Sequence, residues 1–99
     1  MSLSLAVAGD ILRVEGVIDF DNADACCAEG LAKLATMPAT VTLDLAGLAS
    51  ASTLTVAVLL RWGRALAARG GCLQLAHVPD KCRAILQVSG LAAALPEIS

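Results

Sequence analysis

Val41-Thr42-Leu43-Asp44-Leu45 and Cys72-Leu73-Gln74-Leu75-Ala76 are short apolar runs with a long helical stretch between them. That arrangement constrains the chain more than any other feature. Strands joined through a helix cannot pair as a hairpin; the connection crosses over and makes them parallel in one sheet. Upstream, Leu3, Leu5 and Val7 alternate with Ser4 and Ala6, the period of a half-buried strand. Gly9-Asp10 is a turn signal, and Ile11 to Ile18 reads as the return strand of a hairpin.

Helix signals fill the intervals. Asp21 followed by Asp24 marks a helix start, because side-chain oxygens satisfy free amides and negative charge meets the positive helix end. Asn22 to Ala35 is rich in helix formers, Gly30 weakens that helix by ~1 kcal/mol relative to alanine, and Pro38 marks its end. Ala49-Ser50-Ala51-Ser52-Thr53 leads into a second helix, Leu54 through Arg69, which Gly70-Gly71 stops. Pro79-Asp80 opens a third helix to about Val88, with Gly90 as terminator, and Leu91 to Ser99 reads as a short last helix or strand. The expected fold is a single α/β domain over residues 1–99 in the order β-β-α-β-α-β-α. Its mixed sheet has about four to five strands, with three to four helices packed on it.

Composition narrows the function. The chain is 58% apolar, above the ordinary ~45–50%. Its net charge of −2 and lack of any basic tract argue against nucleic acid and against an anionic membrane surface. The apolar-rich stretch Leu54–Leu60 falls far short of the ~20 residues that span a bilayer, so no direct membrane insertion is expected. Met1-Ser2-Leu3-Ser4-Leu5 lacks the basic region and long apolar stretch of a signal peptide, and a cytoplasmic protein is expected. Cys26, Cys27, Cys72 and Cys82 show neither a disulfide framework nor, with the sole histidine His77, a metal set; they read as reduced, mostly buried thiols.

Catalysis finds no foothold. Ser52, Thr53 and the cysteines have no base in prospect except His77, expected at a strand end, and a triad also needs an orienting acid. Asp19, Asp21 and Asp24 suggest a cation site, but capping accounts for Asp21 and Asp24, and the spacing lacks the glycine and distal glutamate of a calcium loop. Gly70-Gly71 terminates a helix rather than cradling a phosphate. A non-catalytic protein without cofactor or metal is expected.

The second helix carries the sharper signal. At about 100° per residue, Val56, Leu59, Leu60, Gly63, Leu66 and Ala67 form one stripe expected to face the sheet. The opposite side collects Leu54, Ala57, Val58, Arg61, Arg64, Ala65 and Ala68, expected in solvent. Its first half is apolar and flanked by arginines, a pattern suited to docking because interface centres are poor in other charges. Leaving Leu54 and Val58 in water forgoes roughly 1.5–3 kcal/mol each, which a partner recovers. The competing reading covers this face with the last helix or tail. Thr53 lies where free amides and the helix dipole stabilise a phosphate or carboxylate. Ser52 or Thr53 also serves as the N-cap, worth ~1 kcal/mol.

Leu43-Asp44-Leu45-Ala46-Gly47-Leu48 running into a hydroxyl-bearing helix start, the helix closed by Gly70-Gly71, and Leu86-Gln87-Val88-Ser89-Gly90-Leu91 together resemble the STAS family. The resemblance covers nearly the whole chain. Within the family the chain looks most like the cytoplasmic STAS subunits of the Mla phospholipid-trafficking ABC transporters of Gram-negative bacteria. That likeness implies a transporter ATPase partner in a complex with a membrane permease, and a place at the inner membrane through that partner. Thr53 falls where such subunits use a hydroxyl for partner contact. The family also includes anti-sigma factor antagonists, whose loop before the second helix reads Asp, Ser, Ser or Thr, Gly. Their partner is an anti-sigma factor kinase that phosphorylates the first hydroxyl. Aligned here, Ser52 stands at the aspartate, Thr53 at the phosphorylated hydroxyl and Leu54-Thr55 at the glycine region. The hydroxyl is kept while the acid and glycine are lost. The alternative the resemblance implies is an antagonist switched at Thr53.

Overall fold

The computed structural model describes residues 3–49, 52–90 and 95–96. They form β1 (Leu3–Ala8), β2 (Ile11–Gly16), α1 (Ala23–Leu34), β3 (Thr40–Leu48), α2 (Thr53–Ala68), β4 (Cys72–Ala76) and α3 (Asp80–Val88), in the expected order. The strands lie β1-β2-β3-β4 across one sheet. β1 and β2 are antiparallel, while β2, β3 and β4 run parallel. The result is an α/β fold with a mixed four-stranded sheet and, among the described residues, three helices.

Alternation sets the two faces of the sheet. Leu12, Val14, Val41, Leu43, Leu45, Leu73 and Leu75 are all buried beneath the helices. On the other face Ile11, Arg13, Glu15 and Thr40 are exposed and Thr42, Asp44 and Gln74 half-buried. There Arg13 pairs with its register partner Asp44 at 3.6 Å, a surface ion pair worth at most ~1 kcal/mol. α2 touches α1, α3 and β4, so it occupies the middle of the helical layer. The tail reading falls largely outside the described residues. Within them, Leu95 is buried, and the Pro96 carbonyl accepts the Leu75 N–H at 2.8 Å along β4.

β3 runs three residues beyond the expected Leu45. Arg13 faces Asp44 but Glu15 faces Gly47, so β3 carries an extra residue there, a bulge. The close approach of the Glu15 side chain leaves no room for a Cβ at Gly47. Beyond the bulge, the Ala49 N–H donates to the Gly16 carbonyl at 2.7 Å. The exits of β2 and β3 therefore lie side by side and deliver α1 and α2 from the same end of the sheet.

Helix ends differ in one respect from expectation. The turn before α1 is built by Asp19 and Asn22, not by Asp21. Asp19 Oδ1 accepts from the N–H groups of Asp21 and Asn22, and Asn22 Oδ1 accepts from the Asp19 N–H. The reciprocal pair closes two residues earlier than the Asp21–Asp24 spacing suggests; Asp24 sits in the first helical turn, where its charge complements the dipole. α2 ends as expected. Gly70 takes φ +79°, its N–H donates to the Ala67 carbonyl, and the Gly71 N–H donates to the Leu66 carbonyl, the paired bonds of a Schellman stop.

Candidate docking groove between the first two helices

Trp62 fixes how α2 meets α1. Its indole is fully buried, and Nε1 donates to the Cys27 carbonyl at 3.1 Å. Gly30 on α1 lies against the same ring, and a Cβ there would overlap it. At the far end of the pair, the Arg69 guanidinium donates to the Leu34 carbonyl at 2.6 Å and the Met37 carbonyl at 3.3 Å. Side-chain-to-carbonyl bonds thereby hold the two helices at mid-length and at the far end of their contact.

Anchoring by Trp62 turns α2 away from the orientation expected from its leucines and valines. Thr55, Leu59, Trp62 and Leu66 are fully buried, and Val56 and Val58 flank them at 2% and 5% exposure. The buried face is rotated by roughly 70° from the Val56–Leu59–Gly63 stripe, at 100° per residue. Val58, expected in solvent, is buried; Leu54 is half-buried; Ala67, expected against the sheet, is exposed. Ala57, Arg61, Arg64 and Ala68 are exposed as expected, and Ala65 is half-buried.

A groove of about 870 Å³ opens between the helices. Its α2 wall contains Leu54, Ala57, Val58, Arg61 and Arg64, so five of the six candidate contact residues are brought together. Its α1 wall contains Asp24, Cys27, Ala28 and Leu31, which the reading of α2 alone misses. The signal for them is the spacing Asp24–Cys27–Ala28–Leu31, a single helical stripe. Phe20, just before α1, is 91% exposed.

Thr53 stands apart from the groove lining, at the first position of α2, with its side chain exposed. The N-cap is Ser52, whose Oγ accepts from the Thr55 N–H at 3.2 Å and lies 3.2 Å from Thr55 Oγ1. Capping is therefore carried by Ser52, and the Thr53 hydroxyl is presented at the positive end of the helix. His77 is exposed at the end of β4 with φ +55°. Among the described residues no group of three or more His, Cys, Asp or Glu is placed to hold a metal ion. Nor is any helix among them long and apolar enough to cross a membrane. Only Cys26 and Cys82 of the thiols are buried; Cys27 is half-buried and Cys72 exposed, fewer buried than expected. Burial raises the Cys82 thiol pKa. It pushes Cys26 up to about 11, helped by the nearby Cys27 and Glu29.

The family described as Mlab, STAS domain matches residues 1–97, and the chain belongs to that family. A comparison with curated proteins finds no match. Among solved structures, a chain of the Acinetobacter MlaFEDB complex in its ATP-bound Vtrans1 conformation is 30% identical, with a TM-score of 0.77 over 93% of this chain and 97% of that one. The phosphorylated form of the Bacillus cell fate determinant SpoIIAA shares the fold at 19% identity, with a TM-score of 0.71 over 99% and 92% of the two chains. An anti-sigma factor antagonist from Mycobacterium paratuberculosis does so at 17% identity, with a TM-score of 0.73 over 97% and 83%.

Proposed function

We propose, from the chain's membership in the Mlab-type STAS family, that it is a non-catalytic subunit which binds the ATPase of an ABC transporter for outer-membrane phospholipid trafficking. The groove between α1 and α2 carries this reading, because its walls combine apolar side chains with exposed arginines in the manner of an interface centre. Leu54, Ala57, Arg61 and Arg64 contact the ATPase, with the buried Val58 in the groove lining supporting them from within α2, and Thr53 touches it at the helix start. The likeness to a chain of the MlaFEDB complex supports the choice of partner. Through the ATPase and its permease the protein sits at the cytoplasmic side of the inner membrane without inserting, and it supports assembly and activity of the transporter.

The test is co-expression with the transporter ATPase from the same genome. Stable co-purification, with ATP hydrolysis by the transporter reduced when this chain is omitted, is the expected result. A purified ATPase that ignores the chain and hydrolyses ATP equally without it overturns the assignment.

The exposed hydroxyl of Thr53 favours a second reading, an anti-sigma factor antagonist switched by phosphorylation there. A phosphate at that position meets the free amides of the helix start. Intact mass of the protein isolated from its own host decides between them: an added phosphate on Thr53, with a kinase encoded nearby, moves this reading ahead.

A further inference from the structure

We infer that the segment seated in the α1–α2 groove is an amphipathic helix carrying carboxylates along the flank that faces α2. The inference rests on reading the groove as a docking surface, and it specifies the chemistry of what docks.

The charge around the groove is unlike that of the chain. The whole sequence has a net charge of −2, yet from Thr53 to Arg69 it contains Arg61, Arg64 and Arg69 and no acid. Arg69 is engaged with the carbonyls of Leu34 and Met37. Arg61 and Arg64 are exposed, line the groove, and make no ion pair among the described residues. Three residues apart on one helix, they project from the same flank with Cβ atoms ~5–6 Å apart. Carboxylates at an i, i+3 or i, i+4 spacing on an incoming helix match that separation. On the opposite wall the carboxylate of Asp24 lines the groove near the start of α1. The groove is therefore bipolar across its width, so the docked helix presents acids toward α2 and a base toward Asp24. That polarity fixes its rotation, because the opposite orientation brings like charges together.

Its walls suit a helix. Ala28, Ala57 and Ala65 are small, so the apolar ridge of a third helix approaches closely between α1 and α2. The lining from Leu54 to Ala65 runs about 16 Å along α2, three turns of a helix laid alongside it. Apolar anchors at i, i+3 or i+4, and i+7 fill such a groove.

Two synthetic amphipathic peptides of about 18 residues test the inference. They share one leucine stripe, and the flanking positions are glutamate in one and lysine in the other. Binding to the full chain is followed by amide chemical shifts. The glutamate peptide is expected to bind at least ~10-fold more tightly, with an advantage that shrinks as salt rises. The shifts are expected at Asp24 and Cys27 on one wall and at Ala57 and Arg61 on the other. The double variant Arg61→Glu, Arg64→Glu, with an unchanged thermal melt, is expected to reverse the preference. Equal affinity of the native chain for both peptides, binding of neither, shifts outside the groove, or an unreversed preference in the double variant overturns it. These outcomes are separate from the transporter assignment. A charge-selective groove in a chain that ignores the ATPase removes the assignment alone, and an ATPase complex with no charge preference in the groove removes this inference alone.

Discussion

Trp62 of α2 donates its indole N–H to the Cys27 carbonyl of α1, and Gly30 of α1 is the residue that makes space for the ring. Helix propensity favours alanine over glycine at position 30 by ~1 kcal/mol. Packing reverses that preference. Gly30→Ala places a methyl inside the indole, and the helices must part or Trp62 must leave its pocket, so the expected loss is about 1–3 kcal/mol. Trp62→Ala removes the ring and is expected to lose about 3–5 kcal/mol. Urea unfolding measures both; a Gly30→Ala protein as stable as the native chain would contradict this account of the contact.

Val58 distinguishes the observed rotation of α2 from the one suggested by its apolar stripe. At 5% exposure, Val58→Ala is expected to cost roughly 1–3 kcal/mol. Its exposed neighbour Ala57, changed to serine, is expected to stay within about 0.5 kcal/mol of the native chain. Equal stability of the two variants in a thermal melt would return α2 to the other orientation.

The strands were legible because a sheet converts alternation directly into burial: Leu12 and Val14, or Leu73 and Leu75, leave only one way to face the helices. α2 was not, because apolar residues surround most of its circumference and no single stripe dominates. Its rotation is decided by Trp62, whose partner Gly30 lies 32 positions earlier and reads locally as a weakness in a helix. The α2 wall of the groove was visible in the pattern of Leu54, Ala57, Val58 and the arginines. The α1 wall was not, since it exists only once the two helices are registered. The extra length of β3 left a local trace: the buried positions step from Leu45 to Leu48 rather than by two, as a bulge requires.

Cys26 makes stability depend on alkaline pH. Its thiol is raised from an ordinary 9.0 to about 11, first by burial and then by the neighbouring Cys27 and Glu29. The folded chain therefore holds this proton where the unfolded chain has released it, and stability falls as pH rises between about 9 and 11. Below pH 9 both states keep the proton and the effect vanishes. A rise of that size corresponds to a loss of roughly 2–3 kcal/mol at the upper end of the range. Cys26→Ala is expected to flatten that part of the pH–stability curve, measured by urea unfolding. A variant with the native slope would assign the dependence to another group.

Ser52 and Thr53 divide the start of α2 between folding and recognition. Ser52 Oγ accepts the Thr55 N–H, and Thr55 itself is fully buried, so the cap and the first buried residue of the helix are coupled. Ser52→Ala is expected to cost about 0.5–2 kcal/mol, because an amide near the helix start loses its acceptor. Thr53 is exposed at the next position, and the N-cap is Ser52 rather than Thr53. Thr53→Glu is therefore expected to leave the melt within about 0.5 kcal/mol, since a carboxylate is tolerated at the positive helix end. At the proposed interface the same change adds charge and bulk where the ATPase meets the helix, and co-purification is expected to fall. The measurement is the pair for each variant, unfolding and co-purification. Ser52→Ala should move the first more than the second, and Thr53→Glu the second alone. A Thr53→Glu protein that melts as before and still co-purifies fully removes Thr53 from the contact, while one that fails to fold makes Thr53 part of the cap.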